Sequence, residues 1–167
     1  MKQPWEWDED DIIRLVDERV SESINVEFKG CGALRGDGWR TELAKDVSAF
    51  ANSAGAAIIF GIAEDRNTHE AKSIDGGYDP REINIESLEQ VINSRIHRKI
   101  EGIRYNVISL NKTNPGRVLF LLYIPESSRA LTWPVIAFTS DTIMSRSIWR
   151  NTRSESVIVA KRILVTT

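Results

Sequence analysis

Three consecutive stretches decide the fold: residues 21–29 read SESINVEFK, residues 42–55 read ELAKDVSAFANSAG, and residues 56–65 read AAIIFGIAED. In the first stretch apolar and polar residues alternate between Ile24 and Phe28, which predicts a half-buried strand. The second stretch has apolar residues at helical spacing and ends on Asn and Gly, which commonly stop helices. The third is apolar on both faces up to residue 62, which is typical of a central strand covered on both sides. We therefore predict a strand, a helix and a buried strand in succession.

Acidic side chains stand at the ends of these two strands. Glu22 precedes the first strand, Glu27 lies within it, and Asp65 follows the second. Because consecutive elements usually pack side by side, we predict that these three carboxylates converge. Glu64 is a neighbour that competes with Asp65 for the role. Lys29 alternates with Glu27, so both side chains should project from one face of the strand, away from the core.

Length, charge and composition limit the classes of protein to which the chain can belong. The chain has 167 residues, a net charge of −2, 41% apolar residues and 28% charged residues, which predicts one globular domain over residues 1–167. A charge so close to zero indicates that any nucleic-acid surface would be a local basic patch. The longest apolar runs are too short for a bilayer and no signal segment is evident, so we expect a cytoplasmic protein without membrane association. Cys31 is the single cysteine, which excludes an intrachain disulfide and a thiolate zinc cluster.

The rest of the pattern predicts an α+β fold, a mixed β-sheet with two or three main helices. We predict further helices at residues 8–21 and 79–99, strands at 103–108 and 118–124, and shorter strands at 135–138 and 143–150. Asn114-Pro115-Gly116 predicts a turn between the two longer strands. Residues 157–165 could form a strand or part of a helix, and periodicity alone does not decide between them.

A glycine-rich loop, residues 30–38, follows the first strand. Its context resembles a dinucleotide-binding loop, but the spacing is one residue too long and no second mononucleotide-binding half follows. A mobile loop near the active face is the favoured interpretation. His69 is expected to be an ordinary surface residue. Arg98 and Lys99 fall in the last turn predicted for the 79–99 helix, where they suit the helix dipole or a phosphate contact.

Several of these motifs resemble those of one known family. The first-half motifs are Glu22-Ser23, VEFK at 26–29, AFAN at 49–52 with Gly55, and IFGI at 59–62; the second-half motifs are IPES at 124–127, Trp133-Pro134 and SIWRNT at 147–152. Together they resemble the Schlafen-type AlbA-like domain over about residues 10–156. The first-half motifs are specific as a set, whereas those of the second half are individually weak.

The resemblance implies a function and a site. Schlafen proteins that cut tRNA and rRNA use two glutamates and an aspartate as a metal-dependent nuclease centre, and the matching positions here are Glu22, Glu27 and Asp65. It thus implies an endoribonuclease that holds Mg²⁺ or Mn²⁺ on three carboxylates and acts on structured RNA such as tRNA. Hard oxygen ligands suit both ions. The alternatives are a non-catalytic nucleic-acid-binding or transcription-regulatory module and, third, a nucleotide-binding regulator that depends on the glycine-rich loop.

Basic residues are expected to contact the phosphates. Lys29 and Arg150 are the first candidates, followed by Lys45, Arg98 and Lys99. A Lys beside the carboxylates can neutralise a phosphate oxygen.

The chain also departs from the family pattern. It has Gly55-Ala56 where the family usually has a Gly-Gly pair, and it lacks the zinc-binding residues of the animal proteins. Those proteins pair two related lobes around a basic groove, whereas this chain supplies one, so a homodimer is expected to rebuild the groove. A role in bacterial or phage defence is a family-level expectation. The domain is also compatible with being part of a longer protein.

Overall fold

Three α-helices and six strands make up the part of the chain that the computed structural model describes, residues 2–23, 25–128 and 131. The helices are α1 (Glu9–Asp17), α2 (Trp39–Ala51) and α3 (Ile85–Arg95), and the strands are β1 (Val26–Lys29), β2 (Ala56–Phe60), β3 (Ile62–Glu64), β4 (Ala71–Ile74), β5 (Arg104–Ser109) and β6 (Val118–Ile124). The predicted α+β class is confirmed. The elements predicted at residues 135–138, 143–150 and 157–165, together with Arg150, lie outside the described residues.

The main sheet is mixed, with strand order β1-β2-β6-β5. β1 runs parallel to β2, while β6 is antiparallel to both β2 and β5. All five residues of β2 are buried, and six of the seven in β6 are buried as well. The two strands therefore form the covered centre of the sheet, as their apolar sequences predict.

Each face of the sheet packs against its own layer. On one face, Ile58 and Phe120 belong to a core that includes Val47 of α2 and Leu88 of α3. On the other face, Ile59, Phe28 and Leu121 pack with Ile12 of α1 and with Ala71 of β4. The alternation of side chains along β2 thus feeds two separate cores.

The apolar run at residues 56–62 is two strands and not the single strand that its sequence predicts. Gly61 interrupts the run, because its φ of 106° is a backbone conformation that residues with a side chain rarely adopt. A Cβ at Gly61 would collide with the Leu119 side chain, so the backbone passes close to β6 at this point. After the break, β3 turns away and pairs antiparallel with β4, a strand that the sequence did not reveal. This two-stranded hairpin carries part of the candidate site.

Helix α1 is shorter than predicted. It begins with a capping box in which the carboxylate of Asp8 accepts hydrogen bonds from the backbone amides of Asp10 and Asp11. It ends at Asp17, and Arg19 has a left-handed φ of 48°. The predicted extension to residue 21 is therefore wrong, because the chain leaves the helix to meet the β3–β4 hairpin through the carbonyl of Val20.

Helix α3 is also shorter than predicted, at both ends. Its N-cap is Asn84, whose side chain accepts from the amide of Ser87 at 3.0 Å. Asp79, where the predicted helix begins, instead holds a separate turn, because its Oδ1 accepts from the amide of Arg81 at 2.9 Å. Arg98 and Lys99 lie beyond the last helical residue, so they do not sit in the last turn of a helix. Neither α3 nor any other described helix is long and apolar enough to span a bilayer.

Candidate metal centre

Glu22 occupies the link between α1 and β1, where two backbone groups fix it. Its amide donates to the carbonyl of His69 at 2.8 Å, and its Oε1 accepts from the amide of Phe28 at 2.6 Å. β1 is the edge strand of the described sheet, and on its inner side the carbonyl of Asn25 accepts from the amide of Ala57 in β2 and that of Lys29 from the amide of Gly61. The amide of Phe28 therefore points away from the sheet, and the Glu22 carboxylate satisfies it.

Three side chains converge beside this edge. Ligand atoms of Glu22, Glu64 and His69 all lie within 4.8 Å of one another. His69 Nδ1 is 3.9 Å from Glu22 Oε2 and 3.7 Å from Glu64 Oε2. The side chains of these residues are 17%, 35% and 51% exposed respectively, so the group opens to solvent on the His69 side. We call these three residues the Glu22 cluster.

The β3–β4 hairpin supplies two members of the cluster. Glu64 is the last residue of β3 and pairs with Ala71 of β4 across a register shift. In the connecting loop the amide of His69 donates to the carbonyl of Asp65 at 2.8 Å, and His69 itself has a φ of 57°. The tight loop thus turns the imidazole back toward Glu64.

The Asp65 carboxylate has a different position from the one expected. Its Oδ1 accepts from the amides of Asn67 at 2.9 Å and Thr68 at 3.3 Å, inside its own loop. These hydrogen bonds hold the pKa of Asp65 below its ordinary value. The structure therefore brings Glu64, and not Asp65, into the group of three ligands, while Asp65 shapes the loop that presents His69.

The electrostatics of Glu22 are unusual for a carboxylate. Burial raises the pKa of Glu22 to about 8, and the nearby charges of Glu27 and Glu64 act in the same direction. The hydrogen bond from the Phe28 amide opposes this rise but does not cancel it. Burial and the neighbouring carboxylates therefore favour the protonated form of Glu22. Crowded carboxylates that cannot all ionise are typical of functional sites.

Glu27 and Lys29 project from one face of β1, as predicted, but toward α2 and not into open solvent. Lys29 Nζ lies 2.9 Å from Glu27 Oε1 and 3.4 Å from Asp46 Oδ2. The side chains of all three are only about one quarter exposed. Burial alone would lower the pKa of Lys29, but the charges of Asp46 and Glu27 outweigh it and raise that pKa. Lys29 is therefore the shared cation of two carboxylates.

The other predicted phosphate contacts are spread over the surface. Lys45 pairs with Glu42 of the same helix at 3.1 Å. Arg98 and Lys99 are exposed beyond the end of α3, and Arg98 has a φ of 71°.

Sequence reasoning missed His69 and Asp46. Recognition of β3 and β4 as a hairpin would have placed His69 near Glu64, because Glu64 ends β3 and His69 lies in the short connection to β4. Residues 65–67, Asp-Arg-Asn, carry the turn chemistry for it. Asp46 has no comparable signal, since its importance depends on the distant contact with Lys29.

A family model described as Schlafen, AlbA_2 matches residues 22–156, which include the Glu22 cluster and exclude α1. The NMR structure of the N-terminal domain of an ATP-dependent DNA helicase RecG-related protein from Nitrosomonas europaea is similar, with a TM-score of 0.54 and 17% identity over 85% of this chain and 87% of that one. This similarity shows a shared fold.

A second solved structure is more distant. The crystal structure of the DIP2311 protein from Corynebacterium diphtheriae has a TM-score of 0.46 and 20% identity over 73% of this chain and 25% of that one. No curated protein shows significant sequence similarity to the chain.

Proposed function

The chain belongs to the Schlafen AlbA_2 family, and from this premise we propose that it is a metal-dependent endonuclease that cuts structured RNA such as tRNA. The observation that carries the proposal is the Glu22 cluster, where burial and neighbouring carboxylates raise the pKa of Glu22 to about 8. A bound divalent cation would offset the repulsion among these carboxylates and favour the charged form of Glu22.

The donor set fits a divalent cation. Glu22 and Glu64 offer carboxylate oxygens and His69 offers an imidazole nitrogen, all within 4.8 Å. Carboxylates suit Mg²⁺ and Mn²⁺, whereas an imidazole ligand is uncommon for Mg²⁺ and acceptable to softer ions. We therefore favour Mn²⁺ as the working ion. When bound, such an ion polarises a phosphate and lowers the pKa of a coordinated water.

Residues around the cluster have supporting roles in this proposal. Glu27 adds negative charge close to Glu22, and the Lys29 ammonium limits that repulsion by its ion pair with Glu27. The second ion pair of Lys29, with Asp46, is longer at 3.4 Å. Exchange of Asp46 for a phosphate oxygen would let Lys29 hold the substrate without leaving Glu27. Asp65 positions the loop that carries His69.

The test is cleavage of labelled tRNA and single-stranded DNA with Mn²⁺, Mg²⁺ or EDTA. We expect Mn²⁺-dependent cutting of tRNA that falls by more than about 100-fold in Glu22→Gln and Glu64→Gln. Glu86→Gln, an exposed carboxylate change in the first turn of α3, is the matched control and should cut like the wild type. Cutting that survives both cluster substitutions would contradict the proposed centre.

The second candidate is a nucleic-acid-binding module without cleavage. The similar domain from Nitrosomonas europaea stands at the N-terminus of a DNA helicase-related protein, which favours a DNA-binding role for this fold. In this case no metal would induce cutting, and DNA binding in EDTA would be unchanged by Glu22→Gln.

A further inference from the structure

Three loops line an open, polar surface pocket of about 340 Å³. One is the short 3-10 helix Cys31–Leu34 with Arg35 at its end, the second follows β4 at Asp75, and the third is the turn from Asn114 to Arg117 between β5 and β6. No residue of the Glu22 cluster lines this pocket.

Long-range hydrogen bonds join the three loops. The amide of Cys31 donates to Asp75 Oδ2 at 2.7 Å, and its thiol donates to the Asp75 carbonyl at 2.6 Å. The side-chain amide of Asn114 donates to the carbonyl of Gly76. The start of the glycine-rich loop is therefore fixed by contacts that its local sequence does not reveal, and the pocket is part of the folded structure.

Two arginines give the pocket its charge. Arg35 is exposed and Arg117 is half-buried, and neither guanidinium has a hydrogen bond or salt bridge with any residue that the structure describes. The Asp75 carboxylate, the acidic group in the lining, already accepts from the Cys31 amide. The lining thus contributes two guanidinium charges and one carboxylate charge, an excess of positive charge that attracts an anion, and the planar guanidinium suits a phosphate in particular.

The lining indicates a phosphate and not a whole nucleotide. Among the described residues around the pocket none is aromatic, so a base would find no ring to stack on. A phosphate in a polymer needs no such surface, because its neighbouring sugars and bases can remain outside the pocket.

The pocket is close to the Glu22 cluster along the chain. Glu22 Oε1 contacts the amide of Phe28, and Cys31 begins the pocket wall three residues later. Three residues span at most about 11 Å, so this part of the pocket wall begins near the strand residue that Glu22 contacts. We propose that Arg35 and Arg117 form a phosphate-binding subsite for the backbone of the nucleic-acid substrate, apart from the metal centre. This inference rests on the proposed function for the identity of the ligand as a nucleic acid.

Binding measured without metal separates the two proposals. The probe is a short fluorescently labelled single-stranded RNA, titrated in EDTA at several salt concentrations with fluorescence anisotropy as the readout. We expect Arg35→Gln and Arg117→Gln each to weaken binding about five- to tenfold and to reduce the salt slope by about 0.7. Arg104→Gln is the control, because it removes an exposed arginine at the opposite end of β5 from the turn and should leave affinity and slope near those of the wild type.

Each outcome has a defined meaning. Arg35→Lys and Arg117→Lys should recover part of the affinity because they retain the charge, and thermal melts should show that all variants remain folded. If the glutamine variants match Arg104→Gln in affinity and salt slope, the subsite does not exist. If AMP or ATP displaces the RNA more effectively than inorganic phosphate does, and the displacement depends on Arg35, the pocket is a nucleotide site and our inference is overturned. Weaker binding by the arginine variants with no cutting under any metal would uphold the subsite and reject the nuclease.

Discussion

Glu22 links the backbone of the fold to the chemistry of the site. Its carboxylate satisfies the outward amide of the edge strand β1 and at the same time faces Glu64 and His69. Its Oε1 accepts the hydrogen bond from the Phe28 amide, while its Oε2 is the oxygen nearer to His69. Because of this double role, the ionisation of Glu22 should affect both the stability of the fold and the affinity for a metal ion.

The stability of the metal-free protein should therefore depend on the pH through Glu22. The ordinary pKa is 4.5 and the folded value is about 8, so the folded state binds the proton more tightly than the unfolded state. This stabilisation is complete below pH 4.5 and is lost as the pH rises through about 8. In EDTA, the free energy of unfolding of the wild type should fall over this window, whereas Glu22→Gln, which cannot ionise, should show a flatter profile. The free energy of unfolding is measured by urea titration at each pH. The same pH dependence in the two proteins would contradict the raised pKa.

Glu64 and Asp65 should differ in their effect on metal affinity. Glu64→Gln removes a charged ligand atom from the cluster, so Mn²⁺ affinity should fall by more than about tenfold. Asp65→Asn keeps an oxygen that can accept from the amides of Asn67 and Thr68, so it should bind Mn²⁺ nearly as the wild type does. Isothermal titration with Mn²⁺ measures both. A larger loss in Asp65→Asn would restore the ligand set predicted from the sequence.

The elements around the site show where local sequence is informative. The bounds of β6 and the turn at Asn114 were predicted correctly, because both depend on local composition and turn chemistry. The β3–β4 hairpin was missed because Gly61 interrupts an apolar run that looks continuous, and the reason for that break is the proximity of Leu119 on another strand. Since His69 depends on this hairpin, missing the hairpin also concealed one ligand.

Substitution of Gly61 tests this explanation of the break. Gly61→Ala adds a Cβ that collides with the buried Leu119 side chain, at a φ of 106°. We expect a loss of about 2–4 kcal/mol in the free energy of unfolding from strain and overpacking together. Gly116→Ala is the matched control, because it also has a positive φ but open space around it. It should cost about 1 kcal/mol, and equal losses in the two variants would show that backbone strain alone explains the break.

Attachment of α1 to the turn between β5 and β6 depends on Glu9. Its carboxylate is buried and accepts from the amides of Asn111, Lys112 and Thr113. Burial alone would raise the pKa of Glu9, but these hydrogen bonds reverse the effect and lower it. Glu9→Gln should reduce stability by about 2 kcal/mol, because an amide group cannot accept all of these bonds. Its control, Asp10→Asn, breaks only an exposed ion pair with Lys112 and should cost little in urea unfolding.

The fold class and the family of the whole molecule could be predicted from the sequence. The arrangement of its layers could not. The motifs around Glu22, Phe28 and Gly55 are short and local, so they identify the family without any knowledge of packing. The position of α1 instead depends on contacts such as that of Glu9 with Lys112, more than one hundred residues away. No local pattern encodes such pairs, and the same holds for Lys29 with Asp46.

The oligomeric state of the chain can be tested directly. The chain carries a net charge of −2, and the described residues supply one Glu22 cluster and one pocket lined by Arg35 and Arg117. From the two-lobed groove expected from the family resemblance, we predict a homodimer whose combined basic residues line a single groove. Light scattering coupled to size-exclusion chromatography should give the mass of a dimer, and titration should saturate at one RNA for two chains. A monomeric mass together with saturation at one RNA for each chain would contradict the homodimer and show that a single copy provides the complete binding surface.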